Sequence, residues 1–491
     1  MSPAQDSNSV HDLRSALEML ENHPGQLVQT SVEVDPNAEL SGVYRYVGAG
    51  GTVMRPTKMG PAMLFNRIKG YPGARVAIGI LADRKRVALL LGTTVDRLGF
   101  HLCEALNHPI PPVMVPTAPC QEVVHLASEP GFDIRKLIPA PTNTPEDAGP
   151  FITMGLCYGK DPENGQEDVT IHRLCVQGPD TISMMFIPGR HLDSFRIKAE
   201  KAGKAQPISI SIGLDPAVYI AACFEAPSTP LGFNELGIAG ALRNTPVELV
   251  KCLSVDAKAL ASAEIVIEGE LLPDVRVVED QNSHTGKAMP EFPGYNGPAN
   301  PSLPLIKVKA VTFRKNPIMQ TVIGPSEEHV NLAGIPTEAS IITMIGKALP
   351  GFLQNVYAHP SGGGKYLAVL QVKKTVPFDE GRQRQAALLA FSSFSELKHV
   401  ILVDEDVDPF DTNDVLWAMT TRFQADADLI PIPGVRCHPL DPSQTPEMSP
   451  SIRSKGIACK AIFDCTVPFE LKARFQRAQF KEVDFERFLK G

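Results

Sequence analysis

Residues 168–178 read DVTIHRLCVQG, and the alternation in this run decides the fold class of the chain's middle third. Counting from Asp168, Thr170 and His172 fall on one face of an extended strand, while Val169, Ile171 and Arg173 fall on the other. An arginine on the more apolar face needs an anion opposite it. Comparable runs lie on both sides: ITMGLCYG, TISMMFI, PISISIGL, AEIVIEGEL and PLIKVKAVTF. With only two expected helices among them, near residues 191–202 and 246–254, these short strands predict a small β-barrel or a two-sheet core.

Working outward, the prolines of LIPAPTNTPEDAGP (Pro139, Pro141, Pro145) keep residues 137–150 extended or turning, as in a linker. Before it, a helix is expected over residues 10–20, with Val10, Leu13, Leu17 and Leu20 on one face. A glycine-rich turn (VGAGGTV), a strand over 75–81 and a helix over 94–107 follow. After the barrel region, GKYLAVLQVKK and HVILVDEDV read as strands, with helices near 380–396 and 413–423. The expected fold class is therefore a multidomain α/β protein, with an N-terminal α/β domain (1–125), a central β-barrel domain (126–325) and a C-terminal α/β domain (326–491) ending in an oligomerisation tail.

At 491 residues, 43% apolar and 21% charged, the chain can bury large cores and is not broadly disordered. A net charge of -8 without a basic run argues against nucleic acid as a partner. The N-terminal stretch shows no secretory pattern, and no apolar run approaches a membrane span, so a cytoplasmic protein off the membrane is expected. Nine cysteines without a C-x-x-C pair suit reduced thiols, including Cys459 and Cys465. Gly48 to Val53 lacks the third glycine of a dinucleotide loop and reads as a turn. The acidic run from Asp404 to Asp408 reads as a loop and helix entry. Gly362, Gly363 and Gly364 either let the backbone approach a ligand or form a plain loop before a strand.

DVTIHR, then GRH, FNELGIAGALR, MPEFPGY and the long ILVDEDVDPFDTNDVLWAMTTR block resemble, in order and spacing, the UbiD-like decarboxylases. PAPTNTP and LDPSQTPE place the resemblance nearest the hydroxybenzoate branch, which includes protocatechuate decarboxylases. The resemblance implies a flavin-binding split β-barrel at the centre and a carboxy-lyase acting on an aromatic acid. It implies prenylated FMN, a divalent ion (Mn2+ or Mg2+) and K+ as cofactors, with a flavin prenyltransferase as supplier and a homodimer or homohexamer as the assembly.

The family's metal ligands fall on Asp168, His191 and Glu235, with aspartate where asparagine is common. Ile171, Arg173, Arg190 and Lys398 are the further cofactor contacts implied, Lys398 at the phosphate; Val169 and residues 222–224 are candidates for main-chain contacts to K+. Arg173 matches the arginine that grips the substrate carboxylate, Glu291 the acid that exchanges a proton with the reacting carbon, and Glu279 the acid that holds the arginine, with Asp280 as the alternative. His438, as a base, and Lys365 are candidates for contacts to a ring hydroxyl; Met185, Ile187 and Ile323 are candidates to shape the pocket. The function implied is reversible, non-oxidative decarboxylation of a hydroxybenzoate such as 3,4-dihydroxybenzoate through a covalent adduct with prenylated FMN. A polycyclic or heteroaromatic acid, and a flavin-dependent oxidoreductase, are the competing readings.

Overall fold

The computed structural model describes residues 10–51 and 58–489. Its centre is a barrel of six antiparallel strands: β1 (Phe151–Lys160), β2 (Glu167–Gly178), β3 (Thr181–Met184), β4 (Gln206–Ile212), β5 (Ile265–Val277) and β6 (Leu303–Phe313). The order is β5-β4-β1-β2-β3-β6, and pairing of β5 with β6 closes the ring. Closure removes both sheet edges, and the inward apolar residues, among them Ile152, Leu174, Ile182, Ile210, Ile267 and Ile306, fill the interior. The alternation of β2 holds: Val169 and Ile171 pack with the large cluster outside the barrel, while His172 packs on Phe186.

Two sheets tie the barrel to the sequence before it. Ile318–Thr321, leaving β6, pairs in parallel with Arg75–Ile78 in a four-stranded sheet that also holds Leu27–Thr30 and Ala62–Phe65. Val113–Val115 pairs with Glu248–Lys251, and Val123–Leu126 with the end of β6. The expected helix at 246–254 is thus a short strand at 248–251. Its burial runs exposed, buried, buried, exposed, and the β-branched Val250 fits a pleated surface. The proline segment is extended, but residues 138–143 are buried: Ala38 N–H donates to the Thr142 carbonyl, and the Ser41 hydroxyl to Asn143.

The Glu327–Ala348 helix runs from the barrel region into the last third. Sequence patterning passed over it, because it is buried on most sides and contains Gly334 and Pro336, so no single apolar stripe stands out. The last third is a five-stranded sheet, in the order β7 (Leu353–Ala358), β8 (Leu367–Val372), β9 (His399–Asp404), β11 (Ile457–Asp464), β10 (Leu429–Arg436). The acidic run ends β9; Arg422 of the Thr412–Arg422 helix pairs with Asp404 and Asp406. Gly48 closes the Glu39–Gly48 helix, and Gly50 and Gly51 take positive φ; Thr52 and Val53 lie outside the described residues. All nine cysteines are free thiols.

Candidate active site

A cavity of about 340 Å³ lies between β2, the segment after β3, the Glu327–Ala348 helix and the loops at 222–225 and 438–440. That volume suits a small-molecule site, for which roughly 300–1,000 Å³ is usual. Arg173, on β2, reaches it with its guanidinium held by two carboxylates: Nη2 donates to Glu279 Oε2 at 2.9 Å and Nη1 to Glu291 Oε1 at 2.5 Å. Glu279 is fixed in turn, since Asn300 N–H donates to its Oε2 and the Gln177 amide to its carbonyl. Asp280 instead accepts the backbone N–H groups of Ser283, His284 and Gly286 and closes the loop that follows it.

Glu291 leaves the short hairpin of Lys287–Pro290 and Asn296–Pro298 and lines the cavity. Burial raises its carboxyl above the ordinary glutamate range; Arg173 works against this, and the charge of Glu279 works with it. Two glycines leave room for it. A Cβ on Gly297 would stand 2.9 Å from Glu291 Cγ, and one on Gly324 would stand 2.8 Å from the Pro290 carbonyl oxygen.

The cavity also carries cations. Lys365 Nζ lies 2.8 Å from Glu396 and 3.9 Å from Glu225, while Arg190 Nη2 lies 2.8 Å from Glu225 and 3.1 Å from Glu396. Burial would lower the Lys365 ammonium, yet Glu396 and Glu225 hold it above the ordinary lysine value. The glycines before Lys365 serve packing: a Cβ on Gly363 would strike Phe292 and one on Gly364 the Val330 carbonyl, both at 2.4 Å. His438 lines the cavity with its pKa pushed down to about 3, by burial first and then by Lys365. Its Nδ1 accepts the Leu440 N–H at 3.1 Å, so the proton of the neutral ring sits on Nε2. The expected base is therefore set up as a hydrogen-bond donor.

Ile171, Met185 and Ile187 line the cavity, as do residues 222–224; Val169 is buried in β2. Ile323 sits between the lining residues Val322 and Gly324, but packs into the barrel core. Lys398 is absent from the lining and is committed to Asp441, at 2.7 Å, and Ser443. Asp168 and His191 touch, Nδ1 to Oδ1, at 3.1 Å. Glu235 opens the Leu236–Arg243 helix, and its buried Oε2 has no hydrogen-bond partner. Burial and then the neighbouring charge of Asp168 push the Glu235 carboxyl up to about 8. A divalent cation would relieve both, so the donors fit a hard ion in charge and atom type. Among the described residues, no three His, Cys, Asp or Glu side chains are gathered closely enough to hold one as they stand.

A closed six-stranded barrel beside an acid, arginine and acid series defines a carboxy-lyase of the UbiD class, and the chain belongs to the UbiD family. Its residues 17–106, 113–327 and 330–465 match the N-terminal, Rift-related and C-terminal domains of 3-octaprenyl-4-hydroxybenzoate carboxy-lyase. It is 56% identical over 484 residues to gallate decarboxylase of Lactiplantibacillus plantarum, covering 98% of this chain and 99% of that one. The apo 3,4-dihydroxybenzoic acid decarboxylase of Enterobacter cloacae superposes with a TM-score of 0.94 at 62% identity, over 98% of this chain and 99% of that chain. The UbiD-class enzyme HmfF of Pelotomaculum thermopropionicum, in complex with FMN, gives 0.85 at 36% identity, over 96% and 98%.

Three groups in or behind the cavity wall had no role assigned from the sequence. His329 lines the cavity, part-buried against Phe292, with its pKa pushed down to about 4, by burial and then by Lys365. Glu225 lines the cavity and pairs with Arg190. Glu396 lies behind the wall. Glu225 lies in the FEAPSTP turn, and Glu396, in FSELKH, carries no local pattern at all.

Proposed function

We propose that this chain is a reversible, non-oxidative decarboxylase of hydroxylated aromatic acids, with 3,4-dihydroxybenzoate the first substrate to test and gallate the second. The observation that carries this reading is the series Glu279, Arg173, Glu291 opening on a cavity that Arg190, Lys365 and His438 also line. A carboxylate entering beside Arg173 competes with Glu291 for the guanidinium fork. Binding then favours protonated Glu291, and burial has already shifted that carboxyl in this direction. Glu291 thereby carries a proton at Oε to the carbon that CO2 leaves, while Glu279 keeps the guanidinium in place. The N–H donors of Arg190, Lys365 and His438 receive the ring hydroxyls.

Prenylated FMN, when bound, supplies the acceptor for the electron pair that CO2 leaves behind, which no side chain here could provide. Asp168, His191 and Glu235 would hold the divalent ion, Mn2+ or Mg2+, and a K+ ion belongs to the same proposal. So do cofactor supply by a flavin prenyltransferase, a cytoplasmic location and a homodimeric or homohexameric assembly. Among the described residues, no helix is long and apolar enough to cross a membrane. The test is co-expression with a flavin prenyltransferase and a screen of aromatic acids for CO2 release. Stoichiometric catechol from 3,4-dihydroxybenzoate supports the proposal; no turnover of any hydroxybenzoate overturns it. Prolonged chelation is expected to release flavin, and Glu235→Gln to do so at lower chelator concentration.

A further inference from the structure

Glu396 does not line the cavity, yet three of the donors that do converge on its buried carboxylate. Lys365 Nζ lies at 2.8 Å, Arg190 Nη2 at 3.1 Å and His438 Nε2 at 3.6 Å. These residues come from the turn before the His191–Lys201 helix, the glycine loop before β8 and the loop after β10, so no local element fixes their relative positions. The main chain that carries it is itself held from behind. The Cys437 thiol donates to the Glu396 carbonyl, and the ammonium of buried Lys460 donates at 2.8 Å to the Ser395 carbonyl. A buried lysine directed at a main-chain oxygen rather than a carboxylate shows that this turn is built to stay where it is.

We propose that Glu396 is a positioning residue that sets this chain's preference for ring hydroxyls, by holding Lys365, Arg190 and His438 as one rigid set of donors. This rests on the decarboxylase reading above. Glu225 shares only the two cations and itself lines the cavity, so its removal would also change the surface that a ligand meets. Glu396 acts only through its partners. Arg173 and Glu291 take no contact from it, so binding of the substrate carboxylate should not depend on it.

The experiment compares holoenzyme with and without Glu396→Gln. It measures kcat and KM for 3,4-dihydroxybenzoate and the inhibition constant of benzoate, which offers the carboxylate without hydroxyls. The expected result is a KM raised at least tenfold, with benzoate inhibition unchanged within twofold and Glu396→Asp falling between. If benzoate and the hydroxylated acid weaken together, or neither changes, the proposal is overturned. Wild type that turns over no hydroxybenzoate refutes the underlying reading instead, so the two failures are distinguishable. Should Glu396→Gln not fold, the double variant Lys365→Met with Glu396→Gln removes both members of the buried pair and leaves no lone charge. A KM in the double variant no worse than in Lys365→Met supports a shared function; effects that multiply contradict it.

Discussion

Glu291, part-buried on the cavity wall, and Glu396, buried behind it, are both carboxylates beside cations, and their protonation is driven in opposite directions. Glu291 shares the Arg173 guanidinium with Glu279 and feels Lys365 only weakly, so burial prevails and its carboxyl is raised. Glu396 also feels burial, but the cations Lys365 and Arg190 outweigh it and hold the carboxyl well below the usual range. The lesson is one of stoichiometry: two acids on one cation leave a proton to exchange, whereas one acid among several donors makes a fixed anion. The first arrangement suits proton transfer and the second suits placement.

The comparison breaks most easily at Glu291. Glu291→Gln should retain flavin but lower the decarboxylation rate by about 10²- to 10⁴-fold, the usual range for a lost general acid, as read by catechol release. Gly297→Ala leaves every polar group in place but puts a Cβ 2.9 Å from Glu291 Cγ; a displacement approaching 1 Å would cost up to about 10²-fold in kcat.

Glu279→Gln sharpens the contrast further, with roughly a 10- to 100-fold loss typical of an orienting partner. It should also move the pH profile. Glu279 helps to raise the Glu291 carboxyl, so its neutralisation lowers the Glu291 pKa. A proton donor is active only while protonated; the rate then begins to fall at a lower pH than in wild type. Glu396, held as a fixed anion, should impose no such limb.

The two acids also differ in how far the sequence disclosed them. Arg173 was legible from alternation alone, since a charged side chain on the apolar face of β2 demands an anion, and Glu291 followed from the MPEFPGY string. Six barrel strands were visible for the same reason: period-2 patterning marks a sheet with one buried face. Glu396 was not legible, because it meets Arg190 206 residues away in sequence and only the assembled fold brings them together. The 327–348 helix stayed hidden because burial on most sides erases the stripe that patterning detects. Lys398, matched through resemblance to a contact with the cofactor phosphate, pairs with Asp441 outside the cavity lining, a partner that no local pattern announced.

The most direct test of the central claim is decarboxylation of 3,4-dihydroxybenzoate by the holoenzyme in D2O, with product analysed by NMR. One deuterium at the vacated ring carbon, one CO2 per catechol, and loss of both in Glu291→Gln are the predicted results. A Glu291→Gln enzyme that still forms deuterated catechol at the wild-type rate would contradict the account.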